Sequence, residues 1–182
     1  MTTTTTYPAG FSYHPDILTH DEEAALTAAI RELTLEPVIM YGRPTKRRVA
    51  SYGLAYLPGR TTLAPTDPIP PAFQDIRDRS AAIAGVDAAA LSQALITEYP
   101  AKASIGMHVD NPSFGSIICG VSLAGGAVLT VEHDDTRTAV VLAPRSLYIL
   151  ADVARSYRHG LTATEHRYPL TFRTVAAEER GR

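Results

Sequence analysis

Residues 116–150 have the sequence SIICGVSLAGGAVLTVEHDDTRTAVVLAPRSLYIL, and this segment decides the fold class. At its start, apolar residues alternate with mostly small or polar ones, as in a strand that buries one face; they are Ile117, Cys119, Val121 and Leu123. Pairs of turn-forming residues then interrupt the apolar runs: Gly125-Gly126, Asp134-Asp135 and Ala143-Pro144. Alternation broken by turns at short intervals predicts several short antiparallel strands.

The same pattern extends over the second half of the chain, from Ala94 onward. Further short runs with strand character are Ala127–Glu132, Ala139–Leu142, Ser146–Leu150 and Pro169–Val175. Many short strands after one or two covering helices are typical of two packed sheets. We therefore predict a mainly β (α+β) domain, built as a double-stranded β-helix (jelly roll) with N-terminal covering helices.

The first half of the chain predicts the covering layer. Thr19 and Glu22 form the pattern of a capping box, and apolar residues follow at helical spacing: Leu18, Ala25, Leu26, Ala29, Ile30 and Leu33. Residues 72–93 are rich in alanine and predict a second helix, after a proline-rich loop over residues 58–71. We expect residues 1–15 to be a disordered tail before a single domain over residues 16–182.

Composition excludes several classes of protein. The 182 residues are 45% hydrophobic, enough for a core, and the longest apolar runs are too short to span a bilayer. The formal net charge is only −2, so a polyanionic partner would have to meet a local basic patch. The single cysteine, Cys119, excludes an internal disulfide and a cysteine-based zinc site. The threonine-rich start lacks the features of a secretion signal, so we expect a cytoplasmic protein.

His108, Asp110 and His159 predict a metal site. In an extended segment, residues i and i+2 point to the same side, so His108 and Asp110 could both reach one ion. His159 lies further along the chain and is followed by Gly160. Two imidazoles and one carboxylate occupy one face of an octahedral iron(II) and leave three positions open for a cosubstrate and O2.

Two arginines near the end of the chain could bind a dicarboxylate such as 2-oxoglutarate. Arg167 and Arg173 flank the last predicted strand, and their even spacing puts them on one face with Thr171, while Leu170 and Phe172 face the other way. A guanidinium pairs with a carboxylate through two parallel hydrogen bonds and stays charged when buried. This position inside an apolar strand indicates a pocket.

The chain resembles the AlkB-type oxygenases over about two-thirds of its length. The segments that carry the resemblance are Tyr99-Pro100, Met107-His108-Val109-Asp110, Pro144-Arg145-Ser146-Leu147, Arg155-Ser156-Tyr157-Arg158-His159-Gly160 and Arg167-Tyr168-Pro169-Leu170-Thr171-Phe172-Arg173. Lys46-Arg47-Arg48-Val49 with Tyr52-Gly53 is similar to the family's substrate-facing segment. The similarity is greatest to members that act on transfer RNA.

The resemblance implies an Fe(II)- and 2-oxoglutarate-dependent dioxygenase with a jelly-roll fold. Iron would be bound by His108, Asp110 and His159. Arg167 would bind the distal carboxylate of 2-oxoglutarate, Arg173 would lie near its keto-acid end, and Tyr99 would donate its hydroxyl to it. Members of the family hydroxylate a carbon attached to nitrogen in a nucleobase or protein side chain, and an N-methyl group so hydroxylated leaves as formaldehyde.

The substrate class remains open at the level of sequence. A basic cluster in a predicted loop, Arg43, Lys46, Arg47 and Arg48, could form a rim that holds the backbone of single-stranded or flipped-base nucleic acid. The alternative is oxidation of a protein side chain or a small metabolite, and a third reading is a non-catalytic module. Three residues depart from patterns common in the family: Thr97 replaces an asparagine, Pro169 a polar residue, and Pro112 an acid that reads damaged bases.

Overall fold

The computed structural model describes residues 6–40, 42–56 and 63–176. Two α-helices are present in this part of the chain, α1 (His20–Arg31) and α2 (Gln74–Ala84). The strands of the first half are β1 (Phe11–His14), β2 (Glu36–Met40), β3 (Arg43–Tyr52), β4 (Leu54–Tyr56), β5 (Leu63–Pro65) and β6 (Gln93–Glu98). Those of the second half are β7 (Ser104–His108), β8 (Phe114–Val121), β9 (Ala127–His133), β10 (Thr136–Leu142), β11 (Leu147–Ala151), β12 (Arg158–Ala163) and β13 (Leu170–Val175).

Eleven of the described strands form two antiparallel sheets with a core between them, and β4 and β5 pair separately. The larger sheet has the order β1-β11-β8-β13-β6-β3-β2, and the smaller has the order β10-β9-β12-β7. Ile118 and Leu150 from the larger sheet pack in one buried cluster with Leu129, Val131 and Leu161 from the smaller. The two packed sheets are those of a double-stranded β-helix, as the alternation of apolar residues predicts.

The helices cover the outer face of the larger sheet. Leu26 and Ile30 of α1 share a second buried cluster with Phe73 and with Ile96 of β6. The predicted capping box is present: the Thr19 hydroxyl accepts from the Glu22 amide at 3.2 Å, and the Thr19 amide donates to the Glu22 carboxylate at 2.8 Å. The helix predicted over residues 72–93 is shorter, because Gly85 adopts a left-handed φ of 71° and ends α2 at Ala84.

Two expectations about local structure are wrong. Residues 11–14 do not belong to a disordered tail; they form β1, which pairs with β11 in the register Phe11↔Leu150. The buried ring of Phe11 joins the core between the sheets, which fixes this strand in place. Residues 1–5 of the expected tail, and 58–62 of the expected proline-rich loop, lie outside the described residues. In the rest of that loop, Leu63–Pro65 pairs with Leu54–Tyr56 as a short hairpin.

The basic cluster is also not in a loop. Arg43, Lys46, Arg47 and Arg48 belong to β3, which pairs with β2 on one side and with β6 on the other. Successive side chains of β3 therefore point to opposite faces of the sheet. Among the described residues, no helix combines the length and apolar character needed to cross a membrane.

Candidate metal centre

Two paired strands and the loop after one of them bring His108, Asp110 and His159 together. His159 on β12 lies opposite His108 on β7, with their ring centroids 4.6 Å apart. Asp110 follows β7 by two residues. One ligand atom from each of the three side chains lies within 4.8 Å of the other two. This is the set of residues in which the sequence predicts a metal site.

Backbone carbonyl groups orient both imidazole rings. The Nδ1 atom of His108 is 2.9 Å from the Gly106 carbonyl oxygen, and that of His159 is 3.2 Å from the Tyr157 carbonyl oxygen. In the tautomer protonated at Nδ1, each ring donates to its carbonyl and leaves Nε2 free for a metal ion. The Nε2 atoms face Asp110, at 3.9 Å from Oδ1 for His108 and 3.5 Å from Oδ2 for His159. Two neutral imidazoles and one carboxylate fit iron(II).

The surroundings favour the protonation states that metal ligands need. Burial by itself raises the pKa of Asp110, but the neighbouring His159 and the charges of Arg173 and Arg155 outweigh it and hold this pKa well below its usual range. Burial is also the main reason why the pKa of His108 is lowered, with nearby His159 and Arg47 acting in the same direction. An ionised carboxylate and a neutral imidazole are the forms that ligate.

Two guanidinium groups form ion pairs with the Asp110 carboxylate. Arg155 Nη1 lies 3.6 Å from Oδ2, and Arg173 Nη2 lies 3.8 Å from Oδ1. Arg155 is anchored by donating from Nε to the Gly115 carbonyl at 2.8 Å, and Arg173 by donating from Nη1 to Gln93 Oε1 at 3.0 Å. The sequence reading assigned no role to Arg155 or Gln93, because their contacts with this site come from strands far apart in the chain.

A cavity of about 830 Å³ opens next to these residues, between the two sheets. Arg167, Pro169, Thr171 and Arg173 all line it, whereas Leu170 and Phe172 are buried in the core under the helices. The predicted alternation of this strand is thus confirmed. Ile118, Leu129 and Leu161 give the cavity an apolar wall near the metal ligands.

Arg167 is 0% exposed and is not fully paired. Its Nη2 donates to the Ser122 hydroxyl at 2.8 Å, while Nε and Nη1 have no hydrogen-bond partner among the described residues. Tyr99 lies beside it, because the backbones of Tyr99 and Arg167 exchange two hydrogen bonds of 2.9 Å. Buried guanidinium donors without a partner are costly, and they fit a ligand that brings a carboxylate.

Tyr148 is a cavity residue that the sequence reading missed. It lies opposite Gly120 in the pairing of β11 with β8, and a Cβ atom at position 120 would overlap its ring. Burial, with a contribution from Asp110, raises the pKa of Tyr148 to about 12, so the phenol stays protonated and can donate. The alternation in β11, where Leu147 and Ile149 face the helices, could have assigned Tyr148 to the cavity side.

The four residues of the basic cluster are not on one surface. Arg47 lines the cavity and is 9% exposed, with its guanidinium carbon 5.7 Å from the centre of the Tyr99 ring. Arg48 points to the other face of the sheet, where it lies 3.5 Å from the Glu98 carboxylate. Arg43 and Lys46 are exposed on the β2–β3 hairpin. The expected rim of four cations is therefore wrong in its geometry, because the strand separates them.

The residues that depart from the family patterns are also located. Thr97 and Pro169 both line the cavity, and the Thr97 amide donates to the Pro169 carbonyl at 3.0 Å. Pro112 is exposed and contributes no charge.

Comparisons with known proteins agree with this geometry. The family model described as "2OG-Fe(II) oxygenase superfamily" matches residues 11–182. The structure of OsALKBH1 superposes with a TM-score of 0.73 at 16% identity, over 93% of this chain and 99% of that one. A Pseudomonas putida prolyl-4-hydroxylase gives 0.65 at 16% identity, over 92% and 93%. A Trichoplax adhaerens prolyl hydroxylase in complex with a hypoxia inducible factor peptide gives 0.66 at 13%, over 94% and 86%. No curated protein matches the sequence.

Proposed function

We propose, given that the chain belongs to the 2OG-Fe(II) oxygenase superfamily, that it is an AlkB-type dioxygenase that hydroxylates or oxidatively demethylates a modified nucleobase in DNA or RNA. The observation that carries this proposal is a cavity shared by the His-Asp-His cluster, the buried Arg167 and a cation from the β2–β3 hairpin, Arg47. We propose a cytoplasmic location for it.

The three side chains of the candidate centre would hold the iron, through Nε2 of His108 and His159 and a carboxylate oxygen of Asp110. Iron, 2-oxoglutarate and O2 supply the oxidising chemistry when bound. The protein's part is to orient these groups: Arg155 and Arg173 fix the Asp110 carboxylate, and the carbonyls of Gly106 and Tyr157 fix the imidazoles. No side chain is needed as a general base.

Arg167 would bind the distal carboxylate of 2-oxoglutarate through its guanidinium, with Tyr99 beside it. Arg173 would lie near the keto-acid end, because it is the arginine next to the metal carboxylate. We add Tyr148 to this set, since its protonated hydroxyl faces the same cavity. Support comes from the shared position of these groups around one pocket large enough for the cosubstrate and a substrate group.

Replacing Tyr148 with phenylalanine tests this addition. The ring would keep its packing on Gly120, so the fold and metal binding should be unchanged. Loss of one hydrogen bond to a charged group should weaken 2-oxoglutarate binding by about ten- to a hundredfold, corresponding to ~1.5–3 kcal/mol. Calorimetric titration of 2-oxoglutarate into metal-loaded protein measures this, with Tyr13→Phe as the matched loss of a hydroxyl outside the cavity. Equal affinities for Tyr148→Phe and wild type would remove Tyr148 from the cosubstrate site.

For the substrate, the exposed cations of the β2–β3 hairpin support a nucleic-acid backbone. A base must leave its stack to reach a buried metal centre, and Arg43 and Lys46 are exposed on the hairpin whose Arg47 lines the cavity. Succinate and formaldehyde release, measured with methylated oligonucleotides, peptides and small metabolites, tests the proposal. Turnover stimulated by oligonucleotides is the expected result, and stimulation by peptides or metabolites alone would favour the alternative substrate class.

Salt dependence tests whether the hairpin contacts phosphates. Each phosphate contact to a single strand contributes about −0.7 to the slope of log affinity against log salt concentration. The double variant Arg43→Ala/Lys46→Ala should therefore flatten that slope by about 1.4. The matched control is Arg31→Ala/Arg77→Ala, which removes two cations from α1 and α2. An unchanged slope in the hairpin variant, or an equal change in the control, would contradict backbone binding by the hairpin.

A further inference from the structure

The cavity contains more positive than negative charge. The cations that line it are Arg47, Arg167 and Arg173, and Arg155 adds a fourth behind Asp110. The anions that line it are Asp110 and Glu36, and Glu36 is exposed at the cavity mouth. The two positive charges of Fe(II) and the two negative charges of 2-oxoglutarate cancel, so a loaded site would keep this excess.

Each buried cation except Arg47 already has an anionic partner or the proposed carboxylate. Arg155 and Arg173 contact Asp110, and Arg167 would bind the cosubstrate. Arg47 forms no ion pair with any described residue. Its one side-chain hydrogen bond in this part of the chain is a weak one, from Nη2 to Met40 Sδ at 3.5 Å. A guanidinium that is 9% exposed and has only this weak sulfur acceptor keeps donors available for a ligand in the cavity.

Arg47 links the proposed substrate-binding hairpin to the cavity that contains the metal ligands. It belongs to the same β-strand as the exposed hairpin cations, yet its guanidinium lies over the ring of Tyr99 at 5.7 Å from its centre. Tyr99 in turn is paired through its backbone with Arg167. A base inserted toward His108 and His159 would share the cavity with this guanidinium, which carries donors and no acceptor.

We infer that Arg47 reads the edge of the target base and selects neutral bases that present oxygen acceptors over bases that carry a positive charge. This inference rests on the proposed function, since it names the kind of nucleobase that this site takes.

Two N-methylated pyrimidines provide a matched pair of probes. N3-methyluracil is neutral and presents carbonyl oxygens on both sides of the methylated nitrogen. N3-methylcytosine has the same ring and the same methyl group, but it is cationic at neutral pH and has an amino group in place of one oxygen. The guanidinium should donate to the first and repel the second, both by charge and by opposing donors.

Glu36 is the acid in the cavity that could favour a cationic base instead of a neutral one. It lies opposite Val49 in the β2–β3 pairing, so it is diagonal to Arg47 on the same face, about 7–8 Å away between Cα atoms in such an arrangement. No ion pair joins the two side chains in the structure. A site in which Glu36 held a cationic base would reverse the expected preference, and the experiment distinguishes that outcome.

The experiment measures binding and turnover of single-stranded oligonucleotides that differ only in this base. We expect metal-loaded wild-type protein to bind the N3-methyluracil strand about ten- to a hundredfold more tightly, as fluorescence anisotropy would show, with the same order in succinate release. Arg47→Gln should reduce the ratio to near one, and Arg47→Lys should keep most of it. The matched control Arg31→Gln removes a positive charge from α1, outside the cavity and the hairpin, and should leave the ratio unchanged.

The outcomes separate the inference from the proposed function. Turnover of both strands with no preference, or with a preference for N3-methylcytosine, overturns the inference and keeps the function. A preference that survives in Arg47→Gln overturns the assignment to Arg47. Binding and turnover of neither strand overturn the proposed function and this inference with it. Because the wild-type ratio is itself a test, the inference stays falsifiable even if an Arg47 variant fails to fold.

Discussion

Replacing His108 with alanine should abolish iron-dependent turnover and leave the chain folded. His108 provides one of three candidate ligands, ends an edge strand, and is about one-third exposed, so its removal leaves little buried space. Loss of a residue that only orients a ligand typically costs ten- to a hundredfold in metal affinity, and loss of a ligand itself should cost more than about a hundredfold. Bound iron by elemental analysis, and succinate release, measure the two effects.

His166→Ala is the matched control. His166 is exposed and contacts Glu98, on the face of the sheet away from the cavity, so its loss should change neither metal content nor turnover. Circular dichroism of both variants would establish that they fold alike. If purified His108→Ala retained wild-type iron content and decarboxylation of 2-oxoglutarate, the metal site would lie elsewhere.

The second large effect is expected for Arg167→Ala. Two of its donors are buried without partners, and a carboxylate of 2-oxoglutarate would supply an acceptor to this guanidinium. Removing a charge-assisted, bidentate partner should cost about 2–4 kcal/mol, which raises the concentration of 2-oxoglutarate required by roughly thirty- to a thousandfold. Titration of 2-oxoglutarate at saturating iron measures this, and the iron requirement should change little.

Arg145→Ala provides the control for removal of an arginine. Arg145 forms ion pairs with Glu23 and Asp16 at the surface. Both partners lie away from the cavity. Arg167→Lys refines the test, because it keeps the charge but loses the planar fork, and it should show an intermediate effect. An unchanged half-saturation point for 2-oxoglutarate in Arg167→Ala would move the carboxylate site to another residue.

Alternation of apolar residues predicted β8, β9, β10, β11 and β13 and the mainly β fold, but it did not predict β7 and β12, which carry His108 and His159. It works for the predicted strands because each strand buries one face against the other sheet, so the sequence carries the period directly. The same rule placed Arg167, Thr171 and Arg173 on one face of β13. It gave no signal for β1, since four residues are too few for a pattern and their pairing with β11 depends on residues at the far end of the chain.

The side chains that sequence reasoning missed are those whose role depends on partners distant in sequence. Arg155 stood within a recognised motif, but only packing shows that it contacts Asp110. Tyr148 reads as an ordinary core aromatic until Gly120 is found opposite it. Arg47 and Arg48 could have been told apart, because a strand rather than a loop sends neighbouring side chains to opposite faces; the wrong assignment of local structure hid this.

The position of β7 at the edge of the smaller sheet gives bound metal a mechanical role. β7 is hydrogen-bonded on one side only, to β12, whereas β12 lies between β7 and β9. An ion held by His108 and His159 would act as a cross-link between this edge strand and an interior strand, closing a loop of about 50 residues. Since the unfolded chain does not hold the ligands together, iron availability would set the thermodynamic stability of this edge as well as the catalytic capacity of the protein.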